Sequence, residues 1–306
     1  MIVCICASPA LDLTYRVEGL AVGETNRVRH VVERPGGKAI NVARVLHALG
    51  EDVHLLTTAG GDSGAALVAS LNHDGIPLEL VMSSASTRRT VAIVDESTDR
   101  VTMLNEPAVL EDWPRFLAAF EALIPVAEVV VISGHQPAGA PLDAFAQLTT
   151  LARAHERPVV LDTSGPALPA TLAAGPTIVK PNVDELREST HEGDPMLAAR
   201  SLAARWDVTV VASQGDEGLI AVDGESAWRA RPARVLSGNP TGAGDAVVAG
   251  LARGLRAGTA LEPMLADCVA LGAAAVLAPS AGELDVEHYQ REAAGVVVES
   301  LDRVRR

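Results

Sequence analysis

The sequence predicts an α/β protein with a mostly parallel central sheet, and three observations carry that expectation. Short Val- and Ile-rich runs bounded by turn residues recur along the chain, helical patterns lie between them, and two stretches alternate apolar with polar residues. Uninterrupted apolar runs read as strands buried on both faces. Strands that alternate with helices assemble as parallel sheets covered on both sides.

The buried strands are expected at residues 2–7, 53–58, 129–132, 159–161, 178–179 and 208–212. Val42, Val45, Leu46 and Leu49 recur at i, i+3, i+4 and i+7, so a helix is expected to begin near Val42 and stop at Gly50. Leu67 and Leu71, closed by Gly75, repeat the pattern, and further helices are expected at 142–154, 196–205, 246–255 and 263–277. Residues 11–33 and 90–105 have a period of two, which suits strands with one solvated or partner-facing side. They predict a small β-layer beside the main sheet, a lid or a dimer surface, with a hairpin turn at residues 95–99. A late hairpin, 218–222 with 227–231 around Asp223-Gly224, is read as an extension of the sheet. No repeat or low-complexity linker divides the 306 residues, so one domain over 1–306 is expected.

Charge narrows the partners. Lys plus Arg number 25 and Asp plus Glu 39, and the net −14 repels nucleic acid and anionic membrane surfaces. A small anion is not excluded, because it feels a few local cations more than the total. Cys4, Cys6 and Cys268 offer neither a disulfide framework nor a four-ligand zinc spacing. The first apolar run has no basic region before it and is short for a signal peptide, and no stretch reaches the ~18 apolar residues of a membrane helix. The expectation is a cytoplasmic protein.

The richest segment for chemistry is Asn239-Pro240-Thr241-Gly242-Ala243-Gly244-Asp245, set immediately before an expected helix. Glycines at a helix mouth free backbone N–H groups to converge on an anion, and the helix dipole adds positive potential. A carboxylate there repels a phosphate, yet suits a base that takes a hydroxyl proton beside a transferring phosphoryl group. The competing reading of Asp245 is a helix cap. Pro35-Gly36-Gly37-Lys38-Ala39-Ile40-Asn41 opens another helix with small residues, a cation and an amide. Lys180-Pro181-Asn182-Val183-Asp184-Glu185 follows a buried strand, where open α/β sheets bind ligands, and Asn182 with Glu185 suits a hydrated magnesium ion. The glycine-rich P-loop and dinucleotide fingerprints are missing, as are a nucleophile elbow and a His-based metal cluster.

Taken in order, these segments resemble the PfkB (ribokinase-like) carbohydrate kinase family, and within it the 1-phosphofructokinase and tagatose-6-phosphate kinase branch. The resemblance rests on Ser8-Pro9-Ala10-Leu11-Asp12, Gly36 through Arg44, Thr87-Arg88, Lys180-Pro181-Asn182 with Glu185, and Asn239 through Asp245, spread over nearly the whole chain. It implies a three-layer α/β/α fold with a small β-sheet lid, and an ATP-dependent kinase that uses Mg2+. By that resemblance Asp245 is the catalytic base, and the backbone of Gly242, Ala243 and Gly244 is the anion hole. Asp12, Gly37 and Asn41 hold sugar hydroxyls. Lys180, Asn182, Ser213, Gly215, Thr241 and Gly242 line the nucleotide, with residues 273–282 nearby, and Asn182 and Glu185 position magnesium through water.

Lys38, Arg88 and Arg27 suit the phosphate of a sugar phosphate, since spare cations have little use around a neutral sugar. Surface solvation is the competing reading, and for Arg27 both stand. Two departures from the branch concern substrate identity. Ala39 replaces a glycine, a strained change if φ is positive there. His135-Gln136 replaces a smaller pair at a position expected to face substrate. The expected substrate is fructose 1-phosphate, tagatose 6-phosphate or fructose 6-phosphate, with ATP as co-substrate and a homodimer formed through the lid. A kinase of a neutral sugar or nucleoside is the alternative inside the family. A catalytically silent sugar-phosphate sensor is the alternative outside it, disfavoured because a sensor needs none of Asp245, Asn182 and Glu185.

Overall fold

In the computed structural model, which describes residues 1–301 except Asp99, Val235 and Ser237, the first apolar run forms β1 (Ile2–Cys6). All five of its residues are buried, and they alternate between two cores. Ile2, Cys4 and Cys6 face one core, and Val3 and Ile5 the other. This is what a strand covered on both sides requires. The chain then leaves the main sheet for β2 (Ala10–Val17) and β3 (His30–Gly36) and returns through α1 (Lys38–Ala48), β4 (Val53–Ala59), α2 (Gly61–His73) and β5 (Leu78–Met82). A second excursion makes β6 (Arg88–Asp95) and β7 (Arg100–Asn105). After α3 (Trp113–Leu123) come β8 (Val129–Ser133), α4 (Ala144–Ala154), β9 (Val159–Asp162), α5 (Ala167–Ala173), β10 (Ile178–Val179), α6 (Val183–Thr190), α7 (Pro195–Trp206) and β11 (Thr209–Ser213). The hairpin β12 (Leu219–Asp223) and β13 (Ser226–Arg231) follows, then α8 (Ala243–Ala257), α9 (Leu261–Val276), α10 (Val286–Glu292) and β14 (Val297–Ser300).

The large sheet has the order β14-β13-β12-β11-β10-β9-β8-β1-β4-β5 and is parallel from β11 to β5. The late hairpin extends it with antiparallel strands, as expected, and β14 adds an edge that sequence periodicity did not reveal. Residues of α1, α2, α8 and α9 fill one core, and residues of α3, α4, α5 and α7 fill the other, giving three layers. The two alternating stretches form a separate four-stranded sheet, β3-β2-β6-β7, in which Asp12 lies opposite Arg34 on one side and Thr90 on the other.

Two helices begin three or four residues earlier than expected. α1 starts at Lys38 rather than near Val42, and α8 at Ala243 rather than Ala246, because each glycine before them takes the cap position and lets the chain turn straight into the helix. Ala39 is consequently helical, and its fully buried methyl carries no positive-φ strain. The helices α3, α5, α6 and α10 and the strand β5 went unread in the sequence. No helix among the described residues is long and apolar enough to cross a membrane.

Candidate active site

From β1 the chain steps one way to β4 and β5, then resumes on the other flank of β1 with β8 and β9. The boundary between β1 and β8 is therefore a topological switch point, where the segments leaving the strand ends diverge and open a crevice. The candidate residues collect at that end: Asp12 beyond β1, Ser133 and His135 at β8, Asp162 at β9, Lys180 and Asn182 after β10, and Ser213 at β11.

Asp245 lies in the first turn of α8 and is 7% exposed. Gly242 caps the helix at φ 89°, and a Cβ there would stand 2.9 Å from Ala281 Cα, so only glycine fits. Asn41 Nδ2, from α1, donates to Asp245 Oδ2 at 2.8 Å. Burial, reinforced by the negative charge of Asp162, pushes the Asp245 carboxyl up to about 7, and the Asn41 hydrogen bond with Lys38 and Lys180 opposes that only in part. Among the described residues, no acceptor bonds the N–H groups of Gly242, Gly244 and Asp245. Ala243 differs from the expected anion hole, since its N–H turns to the Pro240 carbonyl at 3.2 Å.

Asp162 was missed in the sequence, and the structure makes it the hub of the site. It ends β9, is 1% exposed, and meets Lys38 Nζ at 3.2 Å and Lys180 Nζ at 3.6 Å, while Ser133 Oγ donates to it at 3.1 Å. Burial alone would raise its pKa, yet the two lysines hold the carboxyl below its usual range. Lys38 is thus no spare cation in this state. Burial would lower its pKa, and the charges of Asp162, Glu185 and Asp245 more than reverse this. Lys180 is 4% exposed and sits 3.5 Å from where a Cβ on Gly244 would lie, beneath the mouth of α8 rather than along the nucleotide-side cleft. The signal for Asp162 was the one used for Lys180, a charged residue ending a buried strand at its carboxyl end.

On the other side of Asp245, the small sheet brings Asp12 to the crevice. A Cβ on Gly36 would overlap the Asp12 carboxylate, so the glycine makes room for that side chain. Thr90 Oγ1 donates to it, and burial holds its carboxyl above the usual range despite this bond and nearby Arg88. Gly37, at φ 118°, caps α1. Arg88 donates to the carbonyls of Glu106 at 3.3 Å and Ser8 at 3.5 Å, and its buried Nε has no partner. Partial desolvation, with the charges of Lys38 and Arg88, keeps the His135 imidazole below its ordinary range and neutral near pH 7. Arg27 is exposed in the loop joining β2 to β3, and no contact among the described residues ties it to the others.

A cleft of about 760 Å³ opens on the far side of α8, lined by Asn182, Ser213, Gly215, Gly244, Ala273 and Val276 among others. The expected nucleotide residues Ser213 and Gly215 are there, while exposed Thr241 lies outside the lining, its N–H on Asn239 Oδ1. Asn182 and Glu185 are each engaged with the other's backbone, both at 2.9 Å, in a capping box that starts α6. The Asn-x-x-Glu spacing therefore has a structural cause as well as any binding role. The box leaves one Glu185 oxygen without a hydrogen bond among the described residues, close enough to Lys38 and His135 to act on both. No cluster of three acidic, His or Cys ligands occurs among the described residues. That donor set fits magnesium held largely by water and phosphate, with Glu185 and Asn182 outside the first layer.

Replacing Asp162 by Asn removes the nearest negative charge and releases two lysines toward Asp245. Carboxyl-carbon NMR should find Asp245 titrating near 7 in the native protein and clearly lower in Asp162→Asn. An unmoved titration would separate the two carboxylates electrostatically.

The model of the pfkB family of carbohydrate kinases matches residues 1–288. Phosphofructokinase-2 from Escherichia coli, crystallised with potassium, superposes with a TM-score of 0.88 at 29% identity, covering 96% of this chain and 98% of that one. Its tetrameric inhibited form gives 0.86 at 30% identity over 96% and 98%. A possible 1-phosphofructokinase from Thermotoga maritima gives 0.85 at 25% identity over 99% and 100%. A buried carboxylate at a glycine-capped helix mouth, set between a polar crevice and a cleft, is thus found on a chain that belongs to the pfkB family of carbohydrate kinases and is an ATP-dependent sugar kinase.

Proposed function

We propose that the chain transfers the γ-phosphoryl group of ATP to a hydroxyl of a ketohexose phosphate: fructose 1-phosphate, tagatose 6-phosphate or fructose 6-phosphate. The observation that carries this reading is the place of Asp245, buried at the mouth of α8 between the Asp12 crevice and the Ser213 cleft. The acceptor hydroxyl gives its proton to Asp245. Its oxygen bonds the γ-phosphorus as the bond to the β,γ-bridging oxygen breaks, and ADP leaves. The free N–H groups of Gly242, Gly244 and Asp245, with Lys180 beneath them, receive the charge that spreads over the transferring group. Asn182 and Glu185 would hold a hydrated magnesium ion, which would supply neutralisation of the phosphates. Asp12, Gly37 and Asn41 orient the sugar, and Asp162 acts at one remove by placing both lysines.

Arg88, Lys38 and neutral His135 surround the position assigned to the sugar's own phosphate, and Arg27, exposed in the loop between β2 and β3, is the weakest member of the set. The buried, unpartnered Nε of Arg88 supports this assignment. A homodimer through the small sheet is part of the reading. All six residues of β7 are exposed, including Val101, Met103 and Leu104, each above 50%. Three buried, unpaired thiols support a reducing, cytoplasmic location.

ADP release across neutral sugars, nucleosides and the three sugar phosphates tests the substrate class, with turnover expected only for phosphorylated ketohexoses. Arg88→Ala is cleaner than Lys38→Ala, which would also strip Asp162 of a partner. It should raise the sugar-phosphate KM about tenfold or more, a lost charge-assisted hydrogen bond being worth roughly 1.5–3 kcal/mol, with kcat less affected. An unchanged KM, or fast turnover of a neutral sugar, would move the enzyme to the other substrate class. Light scattering at micromolar concentrations should give twice the mass of one chain, and Met103→Lys should lower it. A constant single-chain mass would remove the dimer.

A further inference from the structure

Residues 277–285, between α9 and α10, touch both sides of the site. Ala281 backs the capping glycine of α8, and Asn41 Oδ1 lies 3.0 Å from where a Cβ on Gly282 would be. Arg44 of α1 donates to the Ala281 carbonyl at 3.2 Å, is only 9% exposed, and is anchored by Asp74 at 3.1 Å. The same loop then reaches the small sheet. Glu283 pairs with Arg34 of β3 at 2.7 Å and also meets Arg44 at 3.8 Å.

Arg34 is directly opposite Asp12 in the β2–β3 register, and β3 runs into Gly36, one residue before the cap of α1. A closed ring results. β3 holds Glu283 through Arg34, the loop supports Gly242 and Asn41, α8 carries Asp245, Asn41 bonds Asp245, and α1 returns to β3. The Arg34–Glu283 pair is half-exposed, with side chains 43% and 25% accessible, so it adds little stability by itself, and its consequence is geometric: it ties two separate layers together. Displacing β3 would shift Asp12 and Gly37, and displacing the loop would shift Gly242.

We infer that Glu283, through Arg34, is a positioning residue that couples sugar binding at the small sheet to nucleotide binding at the mouth of α8. Phosphates that order Gly242 settle it on Ala281. This fixes Glu283, holds β3 over the sugar, and so tightens the sugar's binding. Reciprocity requires the sugar to tighten the nucleotide by the same factor. The inference rests on the kinase reading above and takes its two sides from it.

The test is calorimetric binding of the sugar phosphate that the ADP-release panel turns over fastest, with and without a non-hydrolysable ATP analogue. It compares the native protein with Glu283→Ala, Arg34→Ala and the double variant. The analogue should tighten sugar binding about fivefold or more in the native protein. Either single variant should lose most of that gain, the double should lose no more than a single, and each ligand measured alone should bind within about twofold of native. Gain retained in both single variants would overturn the inference, as would singles that weaken each ligand measured alone. If the kinase reading itself is wrong, the native protein releases no ADP with any panel sugar, a different failure seen before any variant is made.

Discussion

The structure depends on keeping one carboxylate buried and usable. Asp245 is removed from water at the mouth of α8 and would be protonated and inert at neutral pH if nothing opposed its desolvation. Three elements supply the opposition: α1 through Asn41 and Lys38, β10's following segment through Lys180, and the N-terminal end of α8 itself. Asp162 works against them electrostatically, yet without it the two lysines would lack the anchor that fixes their places. The balance leaves the Asp245 carboxyl titrating at about 7, the range that would suit the proposed base.

Architecture makes that balance possible. A parallel sheet gathers its strand ends on one edge, and the change of direction at β1 opens the crevice there. The cost is that side chains from β9, from the segment after β10, and from α1 and α8 must meet with small tolerance. Glycines at Gly36 and Gly242 meet the tightest of these demands, one admitting Asp12 and the other packing on Ala281. The small sheet adds Asp12, Thr90 and Arg88 from strands that belong to neither core.

The large parallel strands and the long amphipathic helices were legible because burial on one or two faces leaves a period in the sequence. Short helices such as α5 and α6 were not, since seven or eight residues hold too few turns for a period to emerge. Glycine-rich motifs announced the mouths of α1 and α8 but misplaced their starts, because a glycine cap and a loop glycine look alike in sequence. Asn182 and Glu185 were read for chemistry alone, and their reciprocal capping became visible only with the backbone in place. Asp162 escaped for another reason. A single aspartate ending a strand has no motif around it, and its importance lies in two lysines 124 and 18 residues away in the chain. The sequence suggests a phosphate partner for Lys38, and nothing beside it announces Asp162. Proximity of that kind is a product of topology, and only the folded chain displays it.

Asp245 as the base is the claim from which the other assignments take their meaning. A rapid-quench measurement of a single turnover with Asp245→Asn tests it most directly, alongside nucleotide binding by the same variant. Asparagine keeps the shape and a hydrogen bond to Asn41 but cannot take the proton. Nucleotide affinity should stay near native and phosphoryl transfer should slow by a factor on the order of 10²–10⁴, the usual contribution of a positioned base. Transfer at a near-native rate would contradict it.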